Sequence, residues 1–506
     1  MSSSPVMWRQ VLILAAVVDL LLLVGCGWAD RILVGSNRRL VDDAGRERFF
    51  HGVNAVYKSR PYIPRTDQFD PQRSLVDQDF SLLRDLGINA IRLGVMWPGI
   101  EPTRGVYNET YLQVALNIVN RAVSYGIHSI VDFHQVRRVT DVLSEKYCGE
   151  GVPLWAADTS TDFPMPLQAE AFPVDANGVP SPDDCGKHFW PYYQFTYAAA
   201  AGYQALYDNV DGRADAFAKY WGRVAALYKG NDAVIGVELF NEPFAGDVFR
   251  FPMLLFPGAA TRANLEPLYD LAAGSIRAAD PSRVIMFSTT TWADTVAKPL
   301  GGSAFSRVPG GNDHVGTSVL AFHYYDPPNV GDMGDYFQWQ METAQSLQTP
   351  AFVTEVGLNP MMAPVADLMD RHLLSWAAWD FKEFGGADAG GTCTGCDSGV
   401  MMANGTIIVE NVRALSRTYA QAVAGSTIVN QFNSADSSFV LQYIASPDIQ
   451  APTLVYVASK WHYPKGYQIT VMPSSAHYQM RPFDILELSV NASAGGTFVH
   501  LQIHAS

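Results

Sequence analysis

Two glutamates stand where acid–base and nucleophilic chemistry could be done. Glu242 lies in ELFNEPF and Glu355 in FVTEVG, each at the end of an apolar, β-prone run. Two carboxyl groups facing one another across a site suit cleavage of a glycosidic bond. One carboxylic acid protonates the leaving oxygen while the other, as a carboxylate, attacks or stabilises the anomeric carbon. At a separation of about 5 Å such a pair retains configuration through a covalent glycosyl-enzyme. On this reading Glu242 is the acid/base and must hold a proton at rest, whereas Glu355 is the nucleophile and must stay ionised.

Other polar residues end neighbouring apolar runs: Arg92 in NAIRLG, Asp132 and His134 in VDFHQ, Asn241 beside Glu242, His323 and Tyr325 in FHYYDP, and Trp379 in WAAWDF. Arg92 and Tyr325 could supply the hydrogen bonds that keep Glu355 ionised. Asn241 could donate to a sugar 2-hydroxyl, and Trp379 could offer a sugar ring an apolar face. Blander roles stand beside these: a core arginine paired with a carboxylate, or a histidine capping a loop. The set implies no cofactor and no catalytic metal.

The elements that would position these residues alternate along the chain. Strand-like runs at 50–55, 90–95, 129–133, 234–240, 284–288, 319–323, 351–354 and 375–380 are continuously apolar, as strands buried on both faces require. Helical patterns lie between them, at 79–86, 111–125, 213–228 and 265–279. Eight such strands predict an α/β fold, a (β/α)8 barrel, whose reactive groups sit at the C-terminal strand ends. A doubly wound open sheet is the alternative; it lacks a GxGxxG turn here, and the polar residues come from too many strands for one crevice. Residues 135–200, rich in Pro, Asp and aromatics, are expected to form loops over the barrel mouth. After about residue 420, short strand-like runs at 439–444, 453–458, 468–472, 486–490 and 498–504 predict a smaller antiparallel β-sandwich. The expected domains are a signal peptide at 1–29, a catalytic barrel at 30–420 and the sandwich at 421–506.

Composition narrows the partners. The chain has 506 residues, 48% hydrophobic, and a formal net charge of −15. Its densest basic clusters are Arg38–Arg39 and Arg137–Arg138, so nucleic acid is excluded as a partner. Arg9 precedes an apolar run over 11–27, interrupted by Asp19 and followed by Ala29. This is expected to be a cleaved leader; an uncleaved anchor is the alternative, and the run is short for a full span. Export to a secreted or secretory, lysosomal-type compartment follows. Without Cys26, four cysteines remain, and two local bridges are expected, Cys148–Cys185 and Cys393–Cys396. The second pair, in GGTCTGC, could also be a redox or zinc half-site, but no His-rich partner follows. Sequons at Asn108, Asn404 and Asn491 are compatible with glycosylation.

NEP at the fourth strand, HxY at the sixth and TEVG at the seventh resemble glycoside hydrolase family 5, of the clan with catalytic glutamates on strands four and seven. Within it the chain is similar to endoglycoceramidases and endogalactosylceramidase-like enzymes. HGVNAVYKSRPY at 51–62 resembles their opening strand, whose lysine contacts the sugar, which implies that role for Lys58. CGEGVPLWA at 148–156 resembles their loop after the third strand, and the sandwich matches their layout. The resemblance implies hydrolysis of the glycan–ceramide bond of a glycosphingolipid. There is one departure: those enzymes read HQD after the third strand, and this chain reads HQV at 134–136. The missing carboxylate is a sugar-binding group, so a glucose-first specificity does not carry over.

One stretch, FRFPMLLFP at 249–257, is too apolar for an exposed loop without a reason. Either it folds onto the protein, or it lines a groove for a lipid aglycone and touches a membrane surface. A family 5 β-glucosidase or glucanase acting on other glycosides or polysaccharide is the nearest competing function. A non-catalytic glycolipid-binding protein is the competitor of another class, and it needs neither glutamate.

Overall fold

A computed structural model describes residues 30–506 apart from 59, 136–143, 150, 158–171, 186, 189–192, 292–304, 327–328, 330, 360 and 385–398. The expected leader, the Cys393–Cys396 pair and the valine of HQV lie outside the described residues.

The eight apolar runs form one closed parallel barrel. Its strands are β1 (His51–Ala55), β2 (Ala90–Gly94), β3 (His128–Asp132), β4 (Val234–Glu238), β5 (Ile285–Phe287), β6 (Ser318–Tyr324), β7 (Ala351–Gly357) and β8 (Ser375–Trp379). All eight are buried along nearly their whole length, which is why their sequences do not alternate. Barrel closure runs through β8 pairing with β1, Trp376 opposite His51. The helices outside follow amphipathic spacing. In Glu109–Val123 the buried residues are Tyr111, Leu112, Ala115, Ile118, Val119 and Ala122, and the Asn108 side chain caps the first turn by accepting from the Tyr111 amide. The expected disulfide Cys148–Cys185 is present, with Cα atoms 5.4 Å apart, and ties together the long insertion after β3.

The C-terminal domain is a sandwich of two antiparallel sheets, one of which differs from the expected domain division. Its larger sheet takes in three N-terminal strands, Ile32–Val34, Leu40–Asp42 and Glu47–Arg48, which sequence reading placed with the barrel at 30–420. Arg48 pairs with Ala422, so the start of the chain is stitched to its last third. The expected break at 420/421 also falls inside a strand, Tyr419–Val423. These pairings span more than 370 residues of sequence, a separation that local patterning cannot register.

The two domains meet at the N-terminal end of the barrel, opposite the strand ends that carry the reactive residues. His51, which opens β1, is stacked between Trp376 and Tyr419, with ring centroids 4.2 and 3.5 Å away. Arg417 is buried there; its guanidinium reaches Asp367 at 2.6 Å, Asp370 at 2.8 Å and the Phe432 carbonyl at 3.1 Å. Removing one partner of such a group leaves charge buried without compensation. Arg417→Met is therefore expected to lower the unfolding free energy by about 3–5 kcal/mol. Denaturant titration followed by tryptophan fluorescence measures this, and an unchanged midpoint would show that the ion cluster does not hold the junction.

Candidate active site

The residues singled out at strand ends converge on one guanidinium. Arg92, on β2 and fully buried, donates from Nε to Glu238 at 2.6 Å. From Nη1 it donates to Glu355 at 2.6 Å and to Asn54 at 2.9 Å, and from Nη2 to Asn241 at 2.8 Å. Nη2 also lies 2.9 Å from Asp132. Three carboxylates thus surround one cation inside the barrel. Burial alone would lower the guanidinium pKa, but Asp132, Glu238 and Glu355 together raise it above its ordinary value.

One positive charge does not support three negative ones in a dry interior. Burial, with a contribution from the Glu355 charge, pushes the Asp132 carboxyl up to about 7, against the pull of Arg92 and His323. Burial likewise raises Glu238. Glu355 goes the other way: burial would raise it, but His323 and Arg92, then His134 and the Tyr325 hydroxyl, bring it down to about 2. Glu355 is therefore the member of the set held most firmly in its ionised form. Tyr325 donates to its second oxygen at 2.6 Å.

Strand β7 achieves this by breaking its own alternation. Its pairing with β6 and with β8 shifts register around Thr354, which makes a bulge. Two successive side chains then serve the same site: Thr354 donates to Glu238 at 2.9 Å and Glu355 accepts from Arg92.

Across the mouth, Glu242 follows β4. Its carboxylate lies 2.7 Å from His323 Nδ1, and the same ring nitrogen is 3.6 Å from Glu355. One oxygen from each glutamate and a ring nitrogen of His323 all lie within 4.8 Å of one another. Among the described residues these three are also the one cluster whose donor atoms could together hold a metal ion. Tyr336 fixes the His323 backbone by donating to its carbonyl at 2.7 Å.

The floor is completed by His134, Trp379 and Lys58. Burial, then repulsion from Arg92, pushes the His134 pKa well below its ordinary value, and its Nδ1 shares a hydrogen bond with Asp132 at 2.6 Å. His134 stacks on Trp379 with centroids 5.1 Å apart and planes 10° from parallel. Lys58 Nζ stands 4.1 Å from the centre of the same indole. All ten residues singled out in the sequence are thus gathered in one network at the C-terminal strand ends. Trp155 packs against Trp97 edge to face, and its indole donates to the Glu101 carbonyl, which makes it part of the wall. Sequence reading missed Glu238 and Asn54, both buried in this network. For Glu238 the signal was there, a lone polar residue inside an otherwise apolar run; Asn54 shares its short run with His51 and carries no such mark.

Comparison with known proteins agrees with this geometry. Residues 69–385 match the family described as Cellulase (glycosyl hydrolase family 5), and residues 417–503 match the Glycoside hydrolase family 5 C-terminal domain. The chain is 40% identical over 483 residues to the endoglycoceramidase of Cyanea nozakii, covering 91% of each chain. It is 39% identical over 443 residues to that of Hydra vulgaris, covering 86% of this chain and 82% of the relative. Among solved structures, endo-glycoceramidase II from Rhodococcus sp. in complex with ganglioside GM3 superposes with a TM-score of 0.69 at 20% identity, covering 92% of this chain and 99% of the other. That likeness establishes a common fold.

The Tyr325 bond stabilises the charged form of Glu355, so Tyr325→Phe is expected to move the titration of that carboxyl to higher pH. Carboxyl ¹³C NMR of glutamate-labelled protein measures it directly. A titration unmoved by the change would mean that Arg92 and His323 alone set the charge.

Proposed function

The chain belongs to glycosyl hydrolase family 5, and on that premise we propose that it hydrolyses the β-glycosidic bond between glycan and ceramide in a glycosphingolipid, with retention of configuration. The observation that carries this reading is the glutamate pair, with carboxylate oxygens within 4.8 Å. That spacing suits direct attack on the anomeric carbon and leaves no room for an intervening water. Glu355, ionised, forms the bond to the anomeric carbon while the Glu242 carboxyl gives its proton to the departing ceramide oxygen. Glu242 then takes a proton from water, whose oxygen displaces Glu355 and releases the free glycan. The Asn241 side-chain oxygen Oδ1 accepts from Arg92, so the side-chain nitrogen Nδ2 is the end able to donate to the sugar 2-hydroxyl. Trp379 and Lys58 supply an apolar face and a cation beside the sugar. A protein that only binds glycolipid has no use for an arginine that helps hold one carboxylate ionised while its acidic neighbours are pushed toward their neutral forms. The names of the two relatives near 40% identity support the same substrate class.

The apolar stretch after β4 supports a lipid aglycone. Sequence reading left open whether it packs down or faces outward, and the segment does both. Phe249 meets Tyr197 with centroids 4.4 Å apart, and Leu254 packs on the barrel core. Met253, Leu255 and Phe256 remain 65%, 53% and 60% exposed, and Phe251 41%. Anchoring residues thus hold a rigid short helix, Pro252–Leu255, with an apolar face toward solvent. This face meets the membrane surface or the acyl chains as ceramide is drawn to Glu242; each CH₂ it covers is worth about 0.8 kcal/mol. Export to a secreted or lysosomal-type compartment belongs to the same proposal. The Cys148–Cys185 bridge supports it, as do the exposed sequons Asn108, Asn404 and Asn491. A second bridge, Cys393–Cys396, is proposed with it.

Incubation with glucosylceramide, galactosylceramide, lactosylceramide and a ganglioside, with products identified by mass, is expected to give intact glycan plus ceramide. Stepwise release of single sugars from the non-reducing end would replace this reading with an exo-glycosidase. The triple variant Met253→Ser, Leu255→Ser, Phe256→Ser is expected to cut hydrolysis of vesicle-borne glycolipid by roughly tenfold or more, since each side chain forfeits about 1.5–3 kcal/mol of apolar burial. Turnover of a soluble aryl glycoside should hold. Equal losses on both substrates would remove the membrane role.

A further inference from the structure

We infer that Gln135 is the positioning residue of the acid/base: its carboxamide holds the backbone of Glu242 in a conformation that the chain would not otherwise keep. Glu242 has φ of +42°, in the left-handed region that residues with a Cβ avoid. It also precedes Pro243, whose ring restricts the residue before it toward extended backbone. Two local preferences oppose the observed turn, so tertiary contacts must impose it.

Those contacts are few and specific. Gln135 is fully buried, and its Nε2 donates to the carbonyls of both Asn241 and Glu242, each at 2.8 Å. In an extended strand successive carbonyls point to opposite sides; here two neighbours are turned toward one nitrogen. A carbonyl only accepts, so the amide nitrogen must face them, and the amide oxygen then needs a donor. Tyr203, on the helix Tyr197–Tyr207, provides it, with its hydroxyl 2.8 Å from Gln135 Oε1. Thr291 adds a second bond to the Glu242 carbonyl at 2.9 Å, and its amide donates to the Pro243 carbonyl at 3.1 Å. Gln135 stands one residue beyond His134, so the strand that brings His134 and Asp132 to Arg92 also sets the direction of the Glu242 side chain. Gln135 touches no reacting atom. It acts through the backbone, by aiming the carboxyl at the leaving oxygen.

This inference rests on Glu242 being the general acid, and leaving-group chemistry tests both separately. A β-glycoside of 2,4-dinitrophenol departs without protonation, whereas a β-glycoside of a simple alcohol with the same sugar needs it. Gln135→Leu is expected to reduce kcat/KM for the alcohol glycoside by roughly tenfold to a hundredfold, within the range general acid catalysis supplies, and to leave the dinitrophenyl glycoside nearly unchanged. Tyr203→Phe, which keeps the ring volume, is expected to give the same selectivity at smaller size, and carries the test if Gln135→Leu does not fold. Equal loss on both substrates would make Gln135 a general scaffold residue, and no loss on either would give it no role; either result overturns the proposal. Glu242→Gln is the control. If it shows the selective loss and Gln135→Leu does not, the positioning role fails alone. If Glu242→Gln itself lacks the selectivity, the acid assignment fails and the proposal falls with it.

Discussion

A guanidinium sealed inside a barrel has to be neutralised on the spot, and Arg92 is neutralised by more acid than it needs. With Asp132, Glu238 and Glu355 all within 2.9 Å, ionising every carboxyl would leave a net negative charge in a medium that solvates it poorly. The surplus raises the pKa of the groups that have least support. Glu355 keeps its charge because it alone collects Arg92, Tyr325 and His323. The other two are raised, so they can act as neutral hydrogen-bonding partners that fix the arginine. Lysine could not replace arginine here, because the planar fork is what reaches three acids and two amides at once. The direction of the nucleophile follows from these contacts, and its charge state from Arg92 together with His323, His134 and Tyr325.

The remainder of the molecule keeps that fork still. Arg92 sits on a strand whose neighbours are buried on both faces, so its own side chain and those of Asp132 and Glu238 are sealed from solvent. The sandwich is attached at the far end of the barrel, through Arg417, His51 and the three N-terminal strands. Residues 32–48 lie in one sheet of the sandwich, and the chain then crosses into β1 and returns to that sheet after β8, so the sandwich clamps the closure point of the barrel. Rigidity is thus built at the base, while the polar network and the apolar loop occupy the opposite end. The arrangement separates what stabilises the fold from what is strained or charged for chemistry.

Much of this was legible in the sequence because each part had a local signature. Continuous apolar runs betrayed strands with no wet face, and the two glutamates stood where such runs stop. What escaped had a weak local signature or none. Glu238 lies inside the run that ends at Glu242, and Asn54 is a small amide in the opening strand; only the position of Arg92 in space gives either a purpose. The N-terminal strands are short, and their partners lie in the last third of the chain. The strand His477–Arg481 is exposed along its whole length and has neither the alternation nor the apolar run that marks a strand. Residues 249–257 were legible as unusual, but not as divided, since anchoring by Phe249 and Leu254 depends on the helix Tyr197–Tyr207 and the barrel wall.

The surplus of acid around Arg92 also bears on the second half of the proposed reaction. When Glu355 is bonded to the sugar it loses its charge, and Arg92 loses one of its anions. The Glu355 charge is part of what keeps Asp132 protonated. Esterification therefore makes Asp132 easier to ionise, at the moment when Arg92 lacks a partner, while the His134 ring stays hydrogen-bonded to it at 2.6 Å. A site with only one carboxylate per cation would leave its arginine with no acidic neighbour at that stage. Here Arg92 still has Asp132 at 2.9 Å and Glu238 at 2.6 Å while Glu355 is bonded to the sugar, so its place in the barrel is kept by groups that take no part in the bond changes.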